Sequence, residues 1–186
     1  MTTKKILIIA LLWGGFFPGI LFADTGKEGY GCAKWGMSLD HVKACLSPRE
    51  CKMVSTNPAV LMCDDTVAGE AAYSGYRFRN NTLYQVRILF NIEAVKHHTY
   101  LQKHAKLEKF LENTYGEPQK KYRKTRINPF EDDAQQIATG RGYYQTFWKT
   151  QETEILLTLM GEQNKLVLSI QYSGIAYLEE NIGENR

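Results

Sequence analysis

Five cations fall within seven residues at Lys120, Lys121, Arg123, Lys124 and Arg126, with Tyr122 among them. Arg141 follows between Gly140 and Gly142. Such a density of positive charge in an exported chain can hold anionic lipid headgroups, cell-wall polymers or an acidic protein surface. Each exposed cation contributes modestly and is screened beyond about 10 Å at 0.1 M salt. A solvated loop, partly neutralised by Glu131, Asp132 and Asp133, is the plainer account of the same residues. The cluster is still the best binding candidate in the chain. It predicts an envelope protein or an anionic envelope component as partner.

Other reactive side chains carry weaker signals. His97, Tyr100 and His104 share one stripe of a predicted helix, but the histidines are seven residues apart, roughly 10 Å along the axis. Helical metal pairs stand at i, i+4, so hydrogen-bonded histidines at the edge of a core are favoured over ligands. His98 is expected to face solvent, and His41 stands alone. Asp64-Asp65 and Asp132-Asp133 are neighbours in sequence and read as solvated turns, because a catalytic pair needs convergence across a cleft. No G-x-S-x-G, H-E-x-x-H or phosphate-cradling glycine loop is present. Neither cofactor nor metal is expected, and the chain reads as a binding protein more readily than as an enzyme. The rival readings are a small-ligand carrier with a cavity between helices and sheet, and a hydrolase using His104 with one carboxylate.

The first residues set the compartment. Lys4-Lys5 precedes the apolar run from Ile6 to Trp13, Gly14, Gly15 and Pro18 interrupt it, and Leu21-Phe22-Ala23 leads into polar Asp24-Thr25. This order predicts a secretory signal peptide over residues 1–23, followed by one domain over 24–186. A retained membrane anchor is the alternative, and the glycines and proline in the second half of the run argue against it. Periplasmic or secreted location follows. With Lys4 and Lys5 removed, the formal charge of +3 on the 186-residue chain falls to +1. Near-neutrality excludes a global nucleic-acid binder. At 44% hydrophobic and 23% charged residues, wholesale disorder is excluded as well.

Export also decides how the cysteines read. Cys32, Cys45, Cys51 and Cys63 are even in number, which implies disulfides with three possible connectivities. Gaps of 12, 5 and 11 residues lack the close pairs typical of zinc. Cys45 and Cys51 flank the end of a short helix and the loop through Pro48, so the expected pairing is Cys45–Cys51 with Cys32–Cys63.

Hydrophobic periodicity supplies the elements. Ser38 caps a short helix with Leu39, Val42 and Leu46 on one side, stopped by Ser47-Pro48. Residues 73–78 and 82–90 alternate apolar and polar around Asn80-Asn81, the signature of a β-hairpin with a tight turn. Asn91 opens a longer helix whose stripe is His97, Tyr100, His104, Leu107, Leu111 and Tyr115, ended by Gly116 and Pro118. Lys96, Lys103, Lys106, Lys109 and Glu112 make its solvated face. Residues 117–142 show no period and read as a long loop. Strands over 143–149, 154–160 and 166–172 follow, 59–63 forms a further candidate, and the last residues read as a tail. The class is α+β: an antiparallel sheet of about five to six strands in two meanders, two helices on one face, and a disulfide-stapled N-terminal part. Two helix-plus-meander halves, about 30–92 and 93–178, are hinted at without a residue-level repeat.

The order Trp35-Gly36-Met37-Ser38, Tyr76-x-Phe78, Leu83-Tyr84-x-Val86, Tyr115-Gly116-x-Pro118, Trp148 and Leu168-x-Ile170-x-Tyr172 resembles a group of small, functionally uncharacterised bacterial envelope proteins. The helix-plus-meander pattern is similar to the small accessory lipoproteins of outer-membrane assembly and to the β-lactamase inhibitor proteins, where such a unit is duplicated. This resemblance implies action by binding other proteins. The chain lacks the lipidation cysteine of the former, and no inhibitory residues of the latter can be placed on it.

Overall fold

The computed structural model describes residues 29–56, 58–90, 98–125, 132–162 and 165–178. The expected signal peptide over residues 1–23, together with Asn91, Lys96, His97, Arg126, Glu131 and the final residues from 179, lies outside the described residues.

A two-stranded ribbon, β1 (Gly29–Tyr30) and β2 (Ala33–Lys34), leads into helix α1 (Leu39–Cys45). Four strands follow: β3 (Cys51–Thr56), β4 (Ala59–Val67), β5 (Glu70–Arg79) and β6 (Thr82–Phe90). Helix α2 (His98–Tyr115) opens the second half, with β7 (Lys120–Lys124), α3 (Asp133–Ala138), β8 (Tyr143–Lys149), β9 (Thr153–Glu162) and β10 (Lys165–Gly174). The sheet has eight antiparallel strands in the order β3-β4-β5-β6-β10-β9-β8-β7. Each half is thus a helix followed by a four-stranded meander, interrupted by α3 in the second. The meanders run from the two edges inward and join where β6 pairs with β10, from Leu89–Ser169 to Gln85–Ser173.

Local chemistry accounts for the clearest elements. Asn80 and Asn81 both take positive φ, 48° and 59°, as the tight β5–β6 turn requires. The Ser38 side chain accepts the His41 N–H and caps α1. Gly116, at φ +83°, ends α2 with its N–H on the Glu112 carbonyl at 2.9 Å.

Strand alternation divides the sheet into two unlike faces. Register places Leu61, Tyr76, Val86, Tyr172, Ile155 and Trp148 in one row across six strands, all buried. His104, Leu107 and Leu111 of α2 pack on this side, and so do Ala134 and Ile137 of α3. α3 lies so close that a Cβ at Gly161 would sit 2.0 Å from the Ile137 carbonyl oxygen. The N-terminal segment covers the rest. The Trp35 indole donates to the Thr153 hydroxyl at 2.8 Å, and Tyr30 packs 5.1 Å from Tyr172. Helices α2 and α3 therefore both pack on this face, and α3 is a third helix where two were expected. On the other face the large side chains Met62, Tyr73, Arg87, Leu89, Leu156 and Phe147 are half-buried or exposed.

The structure corrects four expectations. The sheet has eight strands, because residues 51–56 and 120–124 form its edges. Edge strands exposed on both sides need no two-residue apolar period, so periodicity could not reveal them. The 117–142 stretch is not a structureless loop, since it contains β7 and α3. The disulfides are Cys32–Cys45 and Cys51–Cys63, not Cys45–Cys51 and Cys32–Cys63. Cys32 sits in the ribbon turn beside the end of α1, while Cys51 opens β3 directly opposite Cys63 of β4. Finally, Asp64-Asp65 and Asp132-Asp133 are not solvated turns: the first pair lies within β4 and the second at the start of α3.

Candidate binding surface

β7 resolves the basic cluster into two groups with different jobs. Register pairs Lys121 with Thr146 and Arg123 with Tyr144, both on the helix-covered face. Lys121 Nζ donates to Glu112 at 2.6 Å and stands 3.8 Å from Glu108. Hydrogen bonding to Glu112 holds its ammonium above the usual lysine value, against a smaller cost of burial. Arg123 donates to the Glu108 carboxylate at 2.6 Å and to the Thr146 hydroxyl at 3.3 Å, with its guanidinium 4.7 Å from the Tyr144 ring centre. Burial alone would raise the Glu108 carboxyl, but hydrogen bonds from Thr146 and Arg123 outweigh it and hold the group below its ordinary value. These two cations fasten β7 to α2.

Lys120, Tyr122 and Lys124 alternate onto the opposite, uncovered face. Arg126 lies outside the described residues. Arg141 sits beyond the end of α3, with its Nε on the Thr139 hydroxyl at 2.9 Å. Lysine-rich sequence on an edge strand also has a purely structural use, because it discourages pairing with a second sheet edge.

The uncovered face runs the full width of the sheet. One row reads Lys52, Met62, Gly75, Arg87, Gln171, Leu156, Phe147 and Lys120. The next reads Asp64, Tyr73, Leu89, Ser169, Thr158, Gln145 and Tyr122. Tyr73, Tyr122 and Met160 are 42%, 48% and 40% exposed there, among half-buried Leu89, Leu156 and Val167. Its strands carry eight cations, Lys52, Arg77, Arg79, Arg87, Lys120, Lys124, Lys149 and Lys165, against three carboxylates, Asp64, Glu154 and Glu162. Near its centre Arg77 donates to Gln85 at 3.1 Å and Gln85 to Ser173 at 3.3 Å, a fixed polar patch among the apolar residues. This asymmetry of charge is hidden along the chain and emerges only when every second residue of each strand is summed by face.

The interior polar groups are structural. His104 is 2% exposed, packs edge-on to Tyr144 at 5.7 Å, and has no partner for its Nε2. Burial, with Arg123 adding to it, pushes its imidazole down to about 4, so it is neutral at ordinary pH. Its carboxylate neighbour Glu108 is taken by Thr146 and Arg123, and a substrate has no route to a side chain so buried. His98 is exposed, as expected, and among the described residues no cluster of His, Cys, Asp and Glu is fit to hold a metal. Asp65 accepts the Tyr30 hydroxyl at 3.0 Å and faces Arg49 at 3.3 Å. Asp132 caps α3 through Gln135 N–H at 2.7 Å, while Asp133 accepts the Tyr144 hydroxyl. The Ser74 and Tyr76 hydroxyls are buried near one another without completing a hydrogen bond.

No family model, curated protein or solved structure matches this chain. The two disulfides fit folding in an oxidising compartment. Among the described residues no helix is long and apolar enough to cross a membrane.

Proposed function

We propose that the protein is an exported, non-enzymatic binding protein of the bacterial envelope, and that the uncovered face of its sheet is the surface it uses. The observation that carries this reading is the face itself. It spans eight strands and presents exposed Tyr73, Tyr122 and Met160 within an excess of cations. Large aromatic and methionine side chains with surrounding positive charge are what a protein partner of acidic surface would meet. An anionic envelope polymer would meet the same cations. The buried site around His104, the alternative seat of hydrolysis, offers no access to substrate.

Affinity capture from an envelope fraction, followed by mass spectrometry, tests the reading through two paired variants. Lys120→Gln with Arg87→Gln and Lys124→Gln removes three cations of the uncovered face; Lys121→Gln removes one on the α2 side. A partner retained by the wild type and by Lys121→Gln, but lost from the triple variant and at high salt, is the expected result. Equal retention by all three proteins would place the interaction elsewhere.

A further inference from the structure

We infer that a cleft at one end of the sheet, walled by Trp35 and Tyr177, is a binding site for a saccharide. This inference does not depend on the role of the uncovered face. The cleft of about 560 Å³ lies where the residues after β2, the β8–β9 turn and the end of β10 meet. A smaller hollow of about 130 Å³, lined by Arg79, Asn80, Thr82 and Tyr84, adjoins it across the Tyr177 side chain. The larger volume falls within the range of small-molecule sites, and the pair forms a groove rather than a hole.

Its aromatic walls are built and held. The indole N–H of Trp35 is used internally, on Thr153 Oγ1 at 2.8 Å, so what the half-buried ring offers a ligand is apolar surface. Glycines let both rings lie against the backbone. A Cβ at Gly174 would stand 2.9 Å from Trp35 Cγ and 3.0 Å from Tyr177 Cδ2, and one at Gly36 would stand 2.4 Å from Tyr177 Oη. Rings seated in this way lose little freedom when a ligand arrives. Arg79 is fixed too, with its guanidinium 4.7 Å from the centre of the Tyr84 ring.

The polar lining selects the ligand class. Gln151 and Glu152 on one side and Asn80 with Thr82 on the other supply both donors and acceptors in planar or short side chains. A sugar ring has a flat face of C–H groups and a rim of hydroxyls that both donate and accept, which matches aromatic walls edged by amides and a carboxylate. A lipid tail would need a deeper apolar cavity. A nucleotide would put phosphate beside the Glu152 carboxylate. An added peptide strand would need free backbone, yet the Ile175 N–H already donates to the Glu152 carbonyl at 2.9 Å.

The test is titration of the full chain with neutral trimers of glucose and N-acetylglucosamine and with an anionic uronic-acid trimer. The indole N–H resonance of Trp35 is followed by NMR and assigned by its loss in Trp35→Phe. A saturating shift with at least one trimer is expected, while the resonance of Trp148, buried and bonded to the Gly116 carbonyl at 3.0 Å, stays in place. Binding should weaken by about tenfold or more in Tyr177→Ala. The same loss is expected in Glu152→Ala, whose exposed side chain can be removed without disturbing the fold. Preference for the uronic-acid trimer would mean that Lys34 and Arg79 add a charge contact. The proposal is overturned if no trimer shifts Trp35 at about 10 mM, a concentration that reports even millimolar affinity. A shift undiminished in both variants would overturn it equally.

Discussion

Replacing Arg123 by glutamine should cost far more stability than replacing Lys120 and Lys124 together, although all three are cations of one five-residue strand. Arg123 contributes a charge-assisted pair with Glu108 at 2.6 Å and a stacking contact with Tyr144 at 4.7 Å. Such a pair is worth about 1.5–3 kcal/mol when sheltered, and exposed pairs are worth less. The Arg123 and Glu108 side chains are 32% and 15% exposed, which puts this one at the low end. Stacking adds about 0.5–1 kcal/mol. Glu108 keeps its bond from Thr146 and gains what Lys121 can give, so the net loss is roughly 2 kcal/mol. For a chain of this length that lowers Tm by roughly 4–8 °C. Urea unfolding at pH 7 is the assay, with wild type, Arg123→Gln, and the Lys120→Gln, Lys124→Gln double variant side by side. The double variant should lose at most about 0.5 kcal/mol, from the Lys124 ammonium 5.8 Å from the centre of the Tyr143 ring. Because the folded-state value of Glu108 is depressed from 4.5, its contribution is complete above pH 4.5 and fades as pH falls through the lower folded value. The Arg123 variant should show less of that acid loss. A double variant as damaged as Arg123→Gln would refute the argument, because a register slip of one residue in β7 exchanges the two sets of side chains.

His104 predicts a second pH effect at higher pH. The unfolded chain takes up a proton near 6.5 but the native imidazole only near 4, so stability is full above pH 6.5 and declines as pH falls through that window. Wild type should lose about 2 kcal/mol between pH 7 and 5, measured by urea midpoints, and His104→Leu should not. Equal slopes would mean that the native imidazole takes up its proton as readily as the unfolded one. Non-reducing peptide mapping should recover Cys32 with Cys45 and Cys51 with Cys63. Removing either bridge with paired alanines should cost about 2–4 kcal/mol, while recovery of a Cys45–Cys51 peptide would contradict the β3–β4 register.

Elements with a buried side were legible in the chain. The hairpin around Asn80-Asn81 and the helix ending at Gly116 appear where period and turn chemistry place them, because each shows the core a regular apolar stripe. The edges were hidden. Lys-Lys-Tyr-Arg-Lys has no apolar period, and its extended form is set by pairing with β8. The adjacent aspartates were misjudged for a related reason. In β4, neighbours point to opposite faces, so Asp65 meets Tyr30 inside while Asp64 faces out.

Composition and periodicity by themselves determined the α+β class, the cysteines as staples and the absence of familiar catalytic motifs. These are properties of short windows, where each residue needs only its near neighbours to declare its environment. Tertiary structure decided which cysteines meet, which cations serve α2 and which face outward, and that Trp35 and Tyr177 wall one cleft. Each depends on partners far along the chain, such as Arg123 with Glu108 and Trp35 with Thr153, which only strand register and helix docking bring together.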